Sequence, residues 1–345
     1  VVFSVFLVLV AMVGMGIKKG WLYPVRFSWM LAVLIALAVL WGSGPVKKNP
    51  DQIYETESSY NYIQVLEREG YRYLRLNEGQ GVHSIYHPER LAYGGTWMQV
   101  LSAPFFNPAP YRPTEVKQMA IVGLAAGTTA RQAQVALGPV DKPLAVDGFE
   151  IDPEIIRVGR EYFAMEQAGL RAIAQDGRWG LENSQQRYDL ISIDAYRPPY
   201  IPWHLTTQEF FSIVRNHLTA DGVLALNVGR SPNDQKLLAG LVATMQMVFP
   251  SVYVMDVPGS FNSMIYATVQ PTEKKNIEQN LVYLQAQTDS EPLLLEAVRR
   301  TVENLRPLPE GGIVFTDNRA PIERITNQMV LGFLLSDPDL DMIGE

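Results

Sequence analysis

The chain has 345 residues, 47% hydrophobic and 19% charged, with no cysteine and a formal net charge of −7. This composition excludes a disordered chain, and without thiols it excludes disulfide scaffolds, thiolate metal sites and cysteine nucleophiles. Residues 1–50 hold five basic residues and no acid, leaving 24 basic against 36 acidic residues, −12, in the remainder. So acidic a body argues against nucleic acid as a partner and suits a small cationic substrate. The four histidines form no ligand-like pattern, so no protein-built metal site is expected.

Val1 to Ile17 and Phe27 to Gly42 are apolar runs around a polar, aromatic hinge, Lys18 to Arg26. Each approaches the roughly 20 residues that a bilayer core requires. Trp21, Tyr23, Trp29 and Trp41 stand near the run ends, where amphipathic rings favour the interface. The expectation is a transmembrane hairpin over 1–42. Because the chain opens on Val inside the first run, this hairpin is compatible with being the tail of a longer membrane region. Residues 43–50 read as a Gly/Pro/Lys linker.

Alternating residues at 60–67 and 71–76 flank Arg68-Glu69-Gly70, which predicts a β-hairpin within a β-rich segment over 51–114. From 115 to 335 the pattern repeats strand, turn and helix, before a tail at 336–345. Strands are predicted at 118–123, 144–151, 170–174, 188–193, 222–228, 252–257 and 263–269. Helices are predicted at 153–167, 207–218, 233–249 and 290–304. Such alternation implies an α/β fold with a mainly parallel, doubly wound sheet whose ligands bind beyond the carboxyl ends of the strands.

The candidate site residues follow the strand ends. Gly123 and Gly127 bracket a small-residue loop opening a helix, which fits either a backbone approach to a ligand or a tight structural turn. Glu150 and Asp152 follow the second strand; there an acid accepts ribose hydroxyls or caps the helix beginning at Pro153, and both hold if Glu150 binds sugar while Asp152 caps. Asp176 and Gly177 follow the third strand, where Asp-Gly is a turn or an acceptor for an adenine amino group. Asp194, Tyr196 and Arg197 follow the fourth and enter a loop stiffened by Pro198, Pro199 and Pro202. His204 in that loop is a candidate acid or base, whereas His83, His87 and His217 read as surface or satisfied histidines. Asp317 to Pro321 reads as the cap of a final helix. Together the glycine loop and the acids describe an adenosyl-nucleoside site.

These strand ends, with Tyr54 to Ile63, Leu76-Asn77-Glu78-Gly79-Gln80, Ile201 to Thr207 and Phe315 to Glu323, resemble the spermidine synthase (polyamine aminopropyltransferase) family over about 52–330. The likeness extends to its membrane-fused bacterial subgroup. It implies an AdoMet-methyltransferase-like, Rossmann-like fold and decarboxylated S-adenosylmethionine (AdoMet) as aminopropyl donor, with no metal. The acceptor it implies is putrescine or a related amine. It places Gln80 and Tyr93 near the substrate pocket, Glu150 on ribose, Asp176 on adenine and Asp194 at the amine. It is also compatible with a homodimer, and with a membrane protein whose larger domain faces the cytoplasm. The chain departs from the family at three places. Ala126 stands where the donor amine's aspartate is expected, Arg197 stands where a second aspartate would follow Asp194, and Tyr93 is followed by Gly94-Gly95 in place of an acid. Two alternatives therefore stay open: a transferase using AdoMet itself, with Arg197 pairing a carboxylate, and a catalytically lapsed nucleoside-binding domain.

Overall fold

A computed structural model describes residues 2–20, 25–41, 49–77, 81–196, 200–231 and 234–336. Gln80, Arg197, most of the expected linker and nearly all of the tail lie outside the described residues. The chain forms two compact units, Val1–Gln52 and Ile53–Glu345.

Among its described residues the first unit carries the helices α1 (Val2–Lys19) and α2 (Ser28–Trp41), where the apolar runs predict them. The membrane-spanning expectation is not supported. Among the described residues no helix is long and apolar enough to cross a membrane. At 1.5 Å per residue the 14 residues of α2 reach only about 21 Å, against a hydrocarbon core of about 30 Å.

The second unit opens with an antiparallel sheet in the order β1 (Gln52–Glu57), β2 (Tyr62–Arg68), β3 (Tyr71–Leu76), β4 (Val82–Tyr86). The predicted hairpin is β2–β3, paired from Ile63–Leu76 to Arg68–Tyr71. Strand structure stops at Tyr86; α3 (Gly95–Gln99) and a buried 3-10 segment, Val100–Phe106, complete the stretch read as β-rich.

The larger part alternates as predicted: β5 (Gln118–Val122), α4 (Thr128–Ala136), β6 (Ala145–Glu150), α5 (Pro153–Tyr162), β7 (Leu170–Ala174), α6 (Gly177–Glu182), β8 (Tyr188–Ile193), α7 (Gln208–His217) and β9 (Leu218–Gly229). Then come α8 (Lys236–Gln246), β10 (Ser251–Asp256), β11 (Asn262–Thr268), α9 (Lys274–Ala286), α10 (Pro292–Asn304), β12 (Leu305–Arg306) and α11 (Ile322–Ser336). The strand order among the described residues is β12-β10-β11-β9-β8-β5-β6-β7. β7, β6, β5, β8 and β9 pair in parallel, and β11, β10 and β12 continue antiparallel.

Period-two alternation sends the strand side chains into two cores. On β5, Met119 and Ile121 join the cluster beneath α4, α9 and α10, while Ala120 and Val122 join the one holding α7 and α8. The predicted helix 290–304 is core, with Leu293, Leu294, Ala297 and Val298 buried.

The helix predicted over 153–167 ends at Tyr162. Ala164 takes φ 50°, and Met165 turns into the space that Gly127 and Gly159 leave. Chain order reverses between β5 and β8, and the site lies beyond the carboxyl ends of these strands.

Candidate functional site

Two adjoining cavities occupy that crevice, of about 750 Å³ and about 320 Å³. They share five lining residues: His83, Gly123, Ala125, Asp194 and Tyr196. The larger extends past Glu150, Asp176 and Gly177 to the loop from Tyr200 to Leu205. The smaller runs between Thr96-Trp97 and Asn227, toward Ser260 and Asn262.

Gly123 adopts φ +89°, and a Cβ there would lie 2.4 Å from the Asp194 carbonyl oxygen. Only glycine lets the first loop close against the fourth strand end in this way. Gly177 is similarly required, because a Cβ would meet Val122 at 2.4 Å. Gly127 differs from its expected role. Its φ is +85°, but the side chain it lacks would strike Met165 at 2.7 Å, and it lines neither cavity. Gly127 therefore serves packing and the start of α4. In the same loop Ala125 faces both cavities, whereas Ala126 is buried against Ile155, Val158 and Phe163. The cavity-facing position attributed to Ala126 thus belongs to Ala125.

The two acids after β6 divide the roles that the sequence left open. Glu150 lines the larger cavity; its Oε2 accepts from the Ala125 N–H at 2.9 Å and its Oε1 from the Asp152 N–H at 3.1 Å. Burial nevertheless pushes its pKa up to about 7. Asp152 is fully buried and structural. It caps α5 through the Glu154 N–H at 3.0 Å and accepts from Ser58 and Asn61 at 2.5 and 2.9 Å. It lines neither cavity, which removes it from the cofactor-binding set.

Asp176 combines both of its readings. Its Oδ1 caps α6 through the Trp179 N–H at 3.0 Å, and its Oδ2 lies 3.0 Å from His204 Nε2 on the cavity wall. The bond with His204 holds the Asp176 carboxyl below its ordinary value.

Asp194 terminates β8 and faces both cavities. Asn227 donates to its Oδ1 at 2.8 Å. Burial raises the carboxyl to about 6, against the opposing pull of hydrogen bonds from Asn227 and Thr96. Tyr196 is tied to β9, donating to the Asn227 carbonyl at 3.1 Å and accepting from the Gly229 N–H. Its hydroxyl is held well above its ordinary value, by burial first and by Asp194 second. Tyr93 does not join this group. It donates to the Arg90 carbonyl, accepts from the His87 N–H at 2.9 Å and lines neither cavity. The two glycines that follow it bring Thr96 and Trp97 to the wall instead.

Sequence reasoning missed three wall residues. Asn227, 7% exposed, has an Oδ1 with no partner among the described residues, a signal readable as one amide inside the apolar run Leu224 to Val228. Thr96 supports Asp194 from a segment that carried no motif. His83, read as satisfied or surface, is half-buried, its Nε2 has no partner among the described residues, and burial lowers its pKa to about 4. Its imidazole is therefore neutral at pH 7.

Residues 114–280 match the spermine/spermidine synthase domain. A probable polyamine aminopropyl transferase of Bifidobacterium longum is 29% identical over 283 residues, covering 78% of this chain and 61% of its own length. The chain thus spans under two thirds of that relative. A probable spermidine synthase of Corynebacterium glutamicum superposes with TM-score 0.57 at 18% identity, over 78% of this chain and 98% of that one. A spermidine synthase in complex with the transition-state analogue AdoDATO superposes with TM-score 0.52 at 19% identity, over 66% and 79%. The expected Rossmann-like fold with its small antiparallel lead-in sheet is borne out, and residues 114–280 are similar to the spermine/spermidine synthase domain.

Proposed function

We propose that the protein is a transferase of the polyamine aminopropyltransferase kind, moving the aminopropyl group of decarboxylated AdoMet to putrescine or a related amine. The observation that carries this reading is the position of Asp194. It is an acid raised to about 6, standing on the wall common to a nucleoside-sized cavity and a smaller polar one. The larger cavity suits the nucleoside, with Glu150 accepting from the ribose hydroxyls and Asp176 from the adenine amino group. The smaller suits the amine, beside Asp194, Asn227 and Thr96.

In the reaction the neutral amine nitrogen attacks the aminopropyl carbon bonded to the sulfonium. The C–N bond forms as the C–S bond breaks, methylthioadenosine leaves, and the amine proton passes to Asp194. Alkylamines titrate near the lysine value of about 10.4, so the site must favour the deprotonated form and hold it in line. An aspartate titrating near 6 is ionised at neutral pH and ready to take that proton.

One observation favours a second reading, in which AdoMet itself is the donor. The cavity-facing residue of the first loop is Ala125, so no acid of 123–129 stands there to repel the carboxylate that AdoMet carries and the decarboxylated donor lacks. Calorimetric titration with AdoMet, decarboxylated AdoMet and methylthioadenosine, followed by product analysis with putrescine, separates the readings. Preference for AdoMet sinks the first, and binding of none of the three sinks both.

We also propose that residues 2–41 attach the protein to a lipid surface, with the larger unit in the cytoplasm where a nucleoside donor is available. Phe6, Leu9, Val10 and Val13 of α1 and Trp29, Met30 and Val33 of α2 are exposed, which supports this. Co-flotation with liposomes tests it; a protein that stays at the bottom of the gradient counts against it.

A further inference from the structure

The matched domain ends at residue 280, yet the wall of the nucleoside cavity does not. Glu323 and Asn327 of α11 line that cavity, and the Tyr200 hydroxyl donates to Asn327 Oδ1 at 2.5 Å. Just before α11, Asp317 receives a forked pair from Arg178, with Nη1 to Oδ1 at 2.8 Å and Nη2 to Oδ2 at 2.7 Å. The Thr207 hydroxyl donates to the same Oδ1 at 2.7 Å. The Asp317 N–H donates to Glu209 at 3.0 Å, and the Phe315 carbonyl accepts from the Gln208 N–H at 2.9 Å.

Arg178 has a second task. Its Nη1 also donates to the His204 carbonyl at 3.1 Å, while the His204 ring meets Asp176 Oδ2 at 3.0 Å. Asp317, Arg178, His204 and Asp176 therefore form one connected chain that ends on the cavity wall. The forked, charge-assisted pair fixes both position and angle, which a single bond does not. Arg178 lies only two residues past Asp176, on α6. The clamp thus ties the loop 200–207 to the strand end that carries the adenine acceptor. Asp317 itself is 35% exposed at the side chain, so its role is geometric more than energetic.

We propose that the segment from Phe315 to Asn327 completes the donor site, with Asp317 acting through Arg178 and His204 as the positioning residue of Asp176. This deepens the reading of the larger cavity as a nucleoside site and rests on it. The clamp holds Asp176 as an acceptor facing the base, so the site selects a purine bearing an exocyclic amino group over one bearing a carbonyl at that position.

The test uses the full chain and measures calorimetric affinity for methylthioadenosine and for methylthioinosine. Wild type is expected to favour the amino purine by about tenfold or more, the worth of one good hydrogen bond. Asp317→Asn keeps the side-chain shape and removes the charge that holds Arg178. It should bring the two affinities to within about threefold of each other while the unfolding midpoint shows the protein folded. Arg178→Lys, which keeps the charge and loses the fork, should do the same. The apparent KM for the amine, read at saturating donor, should hold steady in both variants. Folded variants that keep the amino-purine preference overturn the proposal. So does a parallel loss of donor and amine, which marks a general structural defect. A wild type that binds neither nucleoside instead removes the nucleoside reading, and the proposal with it.

Discussion

Asn227 Nδ2 donates to Asp194 Oδ1 at 2.8 Å, so the acid common to both cavities is aimed by β9, the strand on which the sheet turns from parallel to antiparallel. That bond orients the carboxylate without neutralising it, and burial still leaves its pKa at about 6. A base must be ionised to accept the amine proton. The Asp194 limb of the profile, read as kcat at saturating amine, should therefore rise about tenfold per pH unit below 6 and level off above it. Asp194→Asn should lower kcat by roughly 10²-fold or more, within the usual range for a lost general base. An asparagine variant retaining wild-type kcat sinks the assignment.

Glu150 should show opposite pH trends in stability and in binding. Its folded-state pKa is raised, chiefly by burial, to about 7. The stability it contributes is therefore fully present below its unfolded value and is lost as pH rises through about 7. The unfolding midpoint of the free protein should fall between about pH 5 and 8, and Glu150→Gln should remove that component. Nucleoside affinity should instead strengthen over the same range, because the ionised carboxylate is the better acceptor for ribose hydroxyls. A methylthioadenosine Kd that is flat with pH speaks against Glu150 as the sugar acceptor.

Asp152 and Tyr93 should behave as structural residues. Asp152→Ala removes a helix cap and two bonds to the lead-in sheet, costing about 2 kcal/mol in thermal or urea unfolding. In the folded fraction, nucleoside affinity should remain near wild type. Tyr93→Phe should cost about 1 kcal/mol and leave both substrate KM values within about twofold. A selective KM effect in either variant would return that residue to the site.

Gly123→Ala should be among the most damaging single changes. The added methyl must fit 2.4 Å from the Asp194 carbonyl at a backbone angle of +89°. A loss of at least about 2 kcal/mol of stability is expected, with nucleoside affinity falling further as the loop retreats. An alanine variant as stable as wild type would show that the loop has room to shift.

Local patterns made most of the fold readable. β7 and β8 begin and end where alternation and turn residues place them, and the β2–β3 turn follows from Glu69-Gly70. The end of α5 was not readable, because Met165 leaves the helix to fill a space defined by Gly127, which is remote in sequence. The acids were legible as a set, and the division in which Glu150 meets a sugar while Asp152 caps a helix was one of the readings they allowed. Glu150 and Asp152 stand two residues apart, and only tertiary contacts with Ser58 and Asn61 show which is structural. His83 and Asn227 carried no motif, since their importance lies in unpartnered atoms that exist only after folding. The spanning hairpin finds no support, since among the described residues no helix is both long and apolar enough to cross a membrane.

Phe315 has a consequence for how this protein can be divided. It is fully buried, and its ring occupies the place of the missing Cβ of Gly240, where an added carbon would sit 2.3 Å away. Gly240 lies inside the matched span 114–280 and Phe315 lies 35 residues beyond its end. A piece excised along those borders would carry an open apolar socket, and would also lose Leu293, Leu294 and Val298 from the core beneath the sheet. The span matched by the domain model is therefore not the autonomous span. The smallest portable form of this protein runs from the first strand of the lead-in sheet to the end of α11.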